Sequence, residues 1–258
     1  MIRIDRSGTH PPATFLTDGE SDLVRLRSLI TRRPLVSKDF DSGIYCSNEI
    51  KALLWQMQSR KCCYCEREYE RKFSDVEHFR PKTEAVRADG RKEAGYWWLA
   101  YRFDNLYFAC PSCNRGKRAK FPLASGSRAL AAEEDPRAVP ELPLLLDPGF
   151  DEVEEHLTFA WIPSRGFQIA PRNASERGRW TIETLQLDRD DLTELRTFYY
   201  QRTLLPLIQR FGTARRQGDS QALALCAAEA AGLTLPEAPF SLLARVALRE
   251  AELLAGDP

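Results

Sequence analysis

Apolar positions recur at helical spacing in two N-terminal stretches. Between Asp22 and Arg32, the residues Leu23, Leu26, Leu29 and Ile30 share one face. A second helix is predicted to begin at Ser47 or Asn48, either of which can cap free amides. Ile50, Leu53, Leu54 and Met57 then line one side, and the helix runs straight into a cysteine cluster. Much later, His156 to Ile162 and Phe167 to Ala170 alternate, which predicts a short hairpin turning around Pro163-Ser164-Arg165-Gly166. From about Asn173 the pattern is helical again. Asp188 is a fitting N-cap, with Asp190, Asp191 and Glu194 near the positive helix end and Leu192, Leu195 and Tyr199 on one face. Pro206 is predicted to kink or end this helix, because it has no amide to donate. Two more helices are predicted near 219–231 and 236–255.

These patterns predict an α+β chain: a helical region over 1–60, a compact chemical module over 61–122, a Pro-, Ala- and Gly-rich linker or loop over 123–148, and a mainly helical region over 149–258. At 258 residues, with 43% hydrophobic and 29% charged side chains, the chain can bury a proper core under a solvated surface. No apolar run approaches the ~20 residues of a membrane helix. The opening Met-Ile-Arg-Ile-Asp-Arg lacks the plan of a secretory signal, so the chain reads as cytoplasmic. The 37 basic and 37 acidic side chains balance, which argues against coating nucleic acid by bulk charge but leaves room for a local basic cleft. There is no phosphate-binding glycine loop and hence no sign of a nucleotide triphosphate site.

Five of the seven cysteines fall in two tight groups. Cys62-Cys63-Tyr64-Cys65 and Cys110-Pro111-Ser112-Cys113 supply two Cys-x-x-Cys hooks separated by 44 residues. A two-residue gap lets both thiolates of a hook turn toward one ion, and two hooks complete the four-thiolate shell of structural zinc. Cys62, Cys65, Cys110 and Cys113 are therefore the candidate zinc ligands. Redox-active pairs are the alternative. Cys63 fits best as a small buried side chain, with competition against Cys62 for the ion as its other reading.

Inside the loop closed by the hooks lies Asp75-Val76-Glu77-His78-Phe79-Arg80-Pro81. Around the second hook runs Asn105-Leu106-Tyr107-Phe108-Ala109, then Cys110 and, nine residues after Asn105, Asn114. Over residues 61–122 the chain resembles the HNH endonuclease family. The resemblance implies a ββα-metal finger, with an acid and a histidine ending one strand, an asparagine at the next, and a last His or Asn on a helix. Glu before the histidine and Asn in the last position depart from the commoner residues, yet both keep an oxygen that can bind metal.

Phosphodiester hydrolysis needs a water, a base to deprotonate it, and a cation for the developing charge. His78, the only histidine of the module, is the candidate base. Glu77 and Asn114 offer hard oxygens suited to Mg²⁺ or Mn²⁺, and Asp75 stands next in rank for metal or histidine. By resemblance, Asn105 holds the His78 ring. Arg115, Lys117, Arg118 and Lys120 follow Asn114, and with Arg80 they are candidates to meet substrate phosphates. A solvated helix face is the plainer reading of that basic run. Tyr96, Trp97, Trp98 and Tyr101 could stack bases but fit core packing better, and His10 and His156 read as structural.

The runs Lys61 to Glu66, Glu77 to Lys82, Tyr96 to Tyr101, Leu145 to Pro148 and Thr181 to Arg189 are similar to the HNH subunit of Septu-type anti-phage systems, PtuB, and its retron-linked relatives. That resemblance implies a nuclease working with a separate ABC-type ATPase, PtuA-like, for which the C-terminal helices are docking surfaces. The expected function is metal-dependent cutting or nicking of DNA. An RNA-cleaving nuclease, for example one acting on tRNA, and a non-catalytic zinc-finger adaptor are the competing readings.

Overall fold

The structure is a computed structural model and describes residues 1–254. The first helix, α1 (Ala13–Ile30), begins directly after the Pro11-Pro12 pair, earlier than the apolar spacing alone indicated. Proline cannot sit inside a helix but is tolerated at its entrance, so the chain turns helical just past Pro12. A short α2 (Ser42–Tyr45) follows. Then α3 (Asn48–Met57) starts where expected, with the Ser47 hydroxyl accepting from Ile50 N at 3.2 Å.

The finger is built from β1 (Asp75–His78), β2 (Glu84–Val86), β3 (Lys92–Ala94), β4 (Leu106–Ala109) and α4 (Pro111–Lys117). β1 and β4 pair antiparallel, with Val76 opposite Phe108, Glu77 opposite Tyr107 and His78 opposite Leu106. The β2–β3 ribbon, for which no element was expected, is a side branch between them. Strand alternation gives the β1–β4 ribbon two buried faces. Val76, Leu106 and Phe108 join the core made by α1 and α3, with Phe15, Leu26, Ile50 and Leu54. Tyr107 and Ala109 face the other way, into a core shared with Leu145, Leu185, Leu192 and Leu243. The finger is thus the middle layer between two helical regions.

Residues 123–148 contain no helix or strand, but they do not swing free. Leu130, Leu144, Leu145 and Leu146 are buried, and the Glu141 carboxylate takes hydrogen bonds from Tyr96 Oη at 2.5 Å and Arg80 Nε at 2.8 Å. This segment is a packed loop wrapped over the finger.

The hairpin forms as predicted: β5 (Leu157–Ile162) pairs with β6 (Gly166–Pro171). Next come α5 (Glu176–Leu185), α6 (Asp190–Tyr199), α7 (Leu205–Gln217), α8 (Ser220–Leu233) and α9 (Ser241–Glu250). The N-cap position of α6 is held by Arg189 rather than Asp188, and its side chain makes no capping bond. At Pro206 the chain neither stops nor bends off. A wider turn over Tyr200–Leu204 carries α6 into α7, whose first turn holds the proline. The wide turn accommodates the amide that Pro206 lacks without breaking the helical run. α9 ends at Glu250; residue 255, where the sequence placed that helix end, lies outside the described residues. No helix among the described residues is long and apolar enough to cross a membrane.

Gly116 sets how closely the finger approaches the C-terminal helices. A Cβ there would lie 3.2 Å from the Thr184 carbonyl and 3.3 Å from that of Leu185, so α4 rests almost backbone to backbone on the end of α5.

Candidate active site and metal centre

The two cysteine hooks converge. Cys62, Cys65, Cys110 and Cys113 are all buried, and their four Sγ atoms lie within 4.8 Å of one another. A tetrahedral zinc with Zn–S of about 2.3 Å implies S–S edges of about 3.8 Å. Cys65 Sγ and Cys110 Sγ are 3.8 Å apart, so the residues present fit such an ion. The second hook is formed at the start of α4, where Cys110 is the N-cap and Pro111 opens the helix. Cys63 stays outside the cluster: it is buried, and its amide donates to Phe108 O at 3.0 Å. Four cysteines close together can hold a metal ion such as zinc.

A cleft of about 540 Å³ opens beside β1, lined by Tyr45, Asp75, Glu77, His78, Lys82, Asn114 and Arg118 among others. His78 sits at the strand end, 6% exposed, with its ring 4.7 Å from that of Tyr45 in an edge-on contact. Its Nε2 lies 2.9 Å from the Ala100 carbonyl. A carbonyl oxygen only accepts, so Nε2 carries the proton and Nδ1 keeps the lone pair. Burial, and then the charge of Lys82, push the imidazole well below its usual value, which keeps the ring neutral and basic in form.

Asp75 and Glu77 project from the opposite face of β1, toward α4. Asn114 Nδ2 donates to Asp75 Oδ2 at 2.8 Å. That bond uses the nitrogen end of the amide; the oxygen end is the one a hard cation would take. Glu77 is buried and paired with Lys117, whose Nζ lies 2.5 Å from Glu77 Oε1 and donates to His78 O at 2.8 Å. Burial raises the Glu77 carboxyl, with the Lys117 and Lys82 charges opposing that rise.

Asn105 reaches the histidine through the backbone. Its Oδ1 accepts from Arg80 N at 2.8 Å, and its Nδ2 donates to Arg80 O and Leu99 O, both at 3.1 Å. These bonds pin the residue just before Ala100, whose carbonyl orients the ring.

A 205-residue stretch, 76% of this chain, is 35% identical to the Septu protein PtuB of Bacillus mycoides (strain KBAB4). The chain is a PtuB-like member of the Septu family. The match spans 66% of that relative's length. The Septu protein PtuA of the same strain is 28% identical over 142 residues, 54% of this chain and 19% of that protein. No family model matches the chain, and no solved structure does.

Two of the substrate-binding candidates of this PtuB-like chain are placed elsewhere by the structure. Lys117 is 1% exposed and committed to Glu77 and the His78 carbonyl, so it cannot meet a phosphate. Arg80 is ion-paired with the buried Glu141 and lines a different cavity, of about 680 Å³, behind the loop 123–148. Of the four cations only Arg115 and Lys117 lie on α4, where they face different ways, and the one facing β1 became an internal ion pair. Arg115, Arg118 and Lys120 remain exposed, with Arg118 on the cleft itself. Tyr96, Trp97 and Tyr101 are buried, as core packing required, and His156 is bonded to Ser175 Oγ at 2.8 Å.

Tyr45 and Lys82 were not singled out by sequence. Lys82 Nζ rests 4.8 Å from the Tyr45 ring centre and 5.6 Å from that of Phe40. Its signal was present in the run Glu77 to Lys82, which ends on this lysine. Tyr45 belongs to a four-residue helix with no motif around it.

The Lys117–Glu77 pair gives a stability prediction. Lys117→Met leaves a buried carboxylate without its partner and is expected to cost roughly 3–5 kcal/mol. Adding Glu77→Gln should recover most of that loss. Denaturant melts of the two single variants and the double variant measure the coupling; additive losses would contradict it.

Proposed function

We propose that this protein is the nuclease of a Septu anti-phage system, an HNH-type endonuclease that hydrolyses phosphodiester bonds of DNA, and that it works with an ABC-type ATPase of the PtuA kind. The observation that carries this reading is the His78 imidazole: neutral, proton-bearing on Nε2 toward Ala100 O, and set in a cleft with Asp75, Glu77 and Asn114. This is the arrangement of a base awaiting a water, next to oxygens for a hard cation.

His78 takes the proton of the attacking water at Nδ1. Asn105 and the Leu99–Ala100 carbonyls keep the ring in the orientation that leaves Nδ1 unprotonated. Asn114 and Glu77, with Asp75 beside them, are the residues that would hold Mg²⁺ or Mn²⁺, and such an ion supplies positive charge for the phosphate and its departing 3′ oxygen. Lys117 limits the negative charge that Glu77 brings to the cleft. Arg118, with Arg115 and Lys120 beyond it, supplies phosphate contacts along the strand to be cut. The tetrathiolate site, having no open position, is structural. The finger and loop then form one rigid platform, and the C-terminal helices are the surface offered to the ATPase.

The test is cleavage of plasmid DNA and of RNA by the purified protein, alone and with its ATPase partner, in Mg²⁺, Mn²⁺ and EDTA. Metal-dependent nicking or cutting of DNA is the expected result. Preference for RNA would move the substrate assignment, and binding without cleavage under every divalent ion would leave an adaptor.

A further inference from the structure

Two arginines meet the cysteine cluster from the C-terminal region. Both belong to α6: Arg189 at its cap and Arg196 two turns on. Arg189 Nη1 lies 3.7 Å from Cys113 Sγ. Its Nε also pairs with Asp191 at 2.9 Å, but that carboxylate is half exposed and shared with Arg67.

Arg196 is the stranger case. It is 1% exposed, which makes it the largest fully buried side chain among the described residues. Its Nη1 donates to Leu187 O at 2.5 Å and its guanidinium carbon lies 5.2 Å from the Phe159 ring centre. Its Nε and Nη2 have no hydrogen-bond acceptor among the described residues, and no carboxylate forms an ion pair with it there. The buried acid within its electrostatic reach, Glu66, is already taken by Lys61 at 3.7 Å and by the Met1 ammonium at 2.7 Å. An arginine stays charged at any ordinary pH, and burying that charge unpaired is costly, so a native fold keeps it where a counter-charge exists. Besides that engaged carboxylate, Cys65 and Cys113 lie within electrostatic reach.

Four neutral thiols would give these arginines nothing. Four thiolates around a divalent ion carry two net negative charges, the number that two guanidinium groups offset. We propose that Arg196 and Arg189 are the counter-ions of a metal–tetrathiolate centre at Cys62, Cys65, Cys110 and Cys113, and that the metal thereby holds α6 and the β5–β6 hairpin on the finger. This rests on the zinc reading of the cysteines and extends it to the C-terminal half. The helices offered to a partner are then in place only when the metal is bound.

The experiment uses the full chain. Zinc content is measured first, then zinc transfer to a chromophoric chelator, and then hydrogen exchange across Asp190–Tyr199 before and after metal removal. Arg196→Met is expected to weaken zinc binding by about 10–100-fold, the usual effect of losing a group that supports metal ligands from outside. Arg196→Lys should hold zinc more tightly than Arg196→Met, and Arg189→Gln should show a smaller loss. Metal removal from the parent should raise exchange throughout α6. A folded Arg196→Met protein that keeps parental zinc affinity overturns the proposal. If that variant does not fold, Arg189→Gln and the parent's exchange decide: parental affinity in the one, or unchanged protection of α6 in the other, also overturns it. A parent without bound metal would instead fail the zinc reading itself.

Discussion

Cys110→Ser protein is expected to hold no zinc and to lose ordered structure across residues 61–122. The reason lies in what else closes that module. Its ribbon has two strands of four residues each, too little to stand alone in water. Its loop between the hooks runs 44 residues, and closing so long a loop by packing alone carries a heavy entropic cost. Four buried thiols with no ion gain little from one another, whereas structural zinc contributes on the order of 10–16 kcal/mol in small finger peptides. A serine hydroxyl at Cys110 can still accept from Cys113 N as the sulfur does at 3.5 Å, so the loss falls on the metal site rather than on the α4 cap. Metal analysis should fall from about one zinc per chain to none, and circular dichroism and thermal melting should show a broad or absent transition. Chelating the parent should reproduce the effect. Cys63→Ala and Cys226→Ser are the controls, since both cysteines are buried but stand outside the cluster. They should keep zinc and a cooperative melt. A Cys110→Ser protein melting like its parent would remove the structural role.

The elements with a local cause were legible before the structure. Ser47 caps α3 because its hydroxyl is in reach of an amide three residues on, and the β5–β6 hairpin announces itself by strict alternation. The cysteine hooks were legible because two-residue spacing has few other uses, and the structure brings all four together. What was not legible depends on long-range packing. Arg80 and Glu141 are 61 residues apart, and nothing near either foretells that they neutralise each other. Lys117 looked like one more cation in a basic run; only the placement of α4 against β1 makes it the partner of Glu77. Tyr45 meets His78 from a four-residue helix that no periodicity marks. At Pro206 the sequence rule was sound, but a wide turn placed the proline where it does no harm. Local chemistry thus marked the candidate residues, while the fold decided which of their charges are spent internally and which stay exposed.

His78→Ala is expected to lower the rate of phosphodiester cleavage by roughly 10²–10⁴-fold, the usual contribution of a positioned general base. The loss should fall on kcat, with KM nearly unchanged, because in the proposed mechanism His78 acts on a proton in flight while exposed cations such as Arg118 hold the phosphate. Arg118→Ala is the reciprocal case and should raise KM more than it lowers kcat. The histidine is buried against Tyr45, so its removal also opens a small cavity, and the melting temperature of each variant has to be read beside its rate. His78→Gln separates the two effects: it fills most of the space and can still donate to Ala100 O, but has no basic nitrogen. If both variants are slow while one melts like the parent, chemistry rather than packing was lost. Asn105→Ala should fall between them, since it loosens the Leu99 and Arg80 backbone that fixes the ring without touching the proton acceptor. A His78→Gln protein that still cleaves at the parental rate would move the reaction out of this cleft.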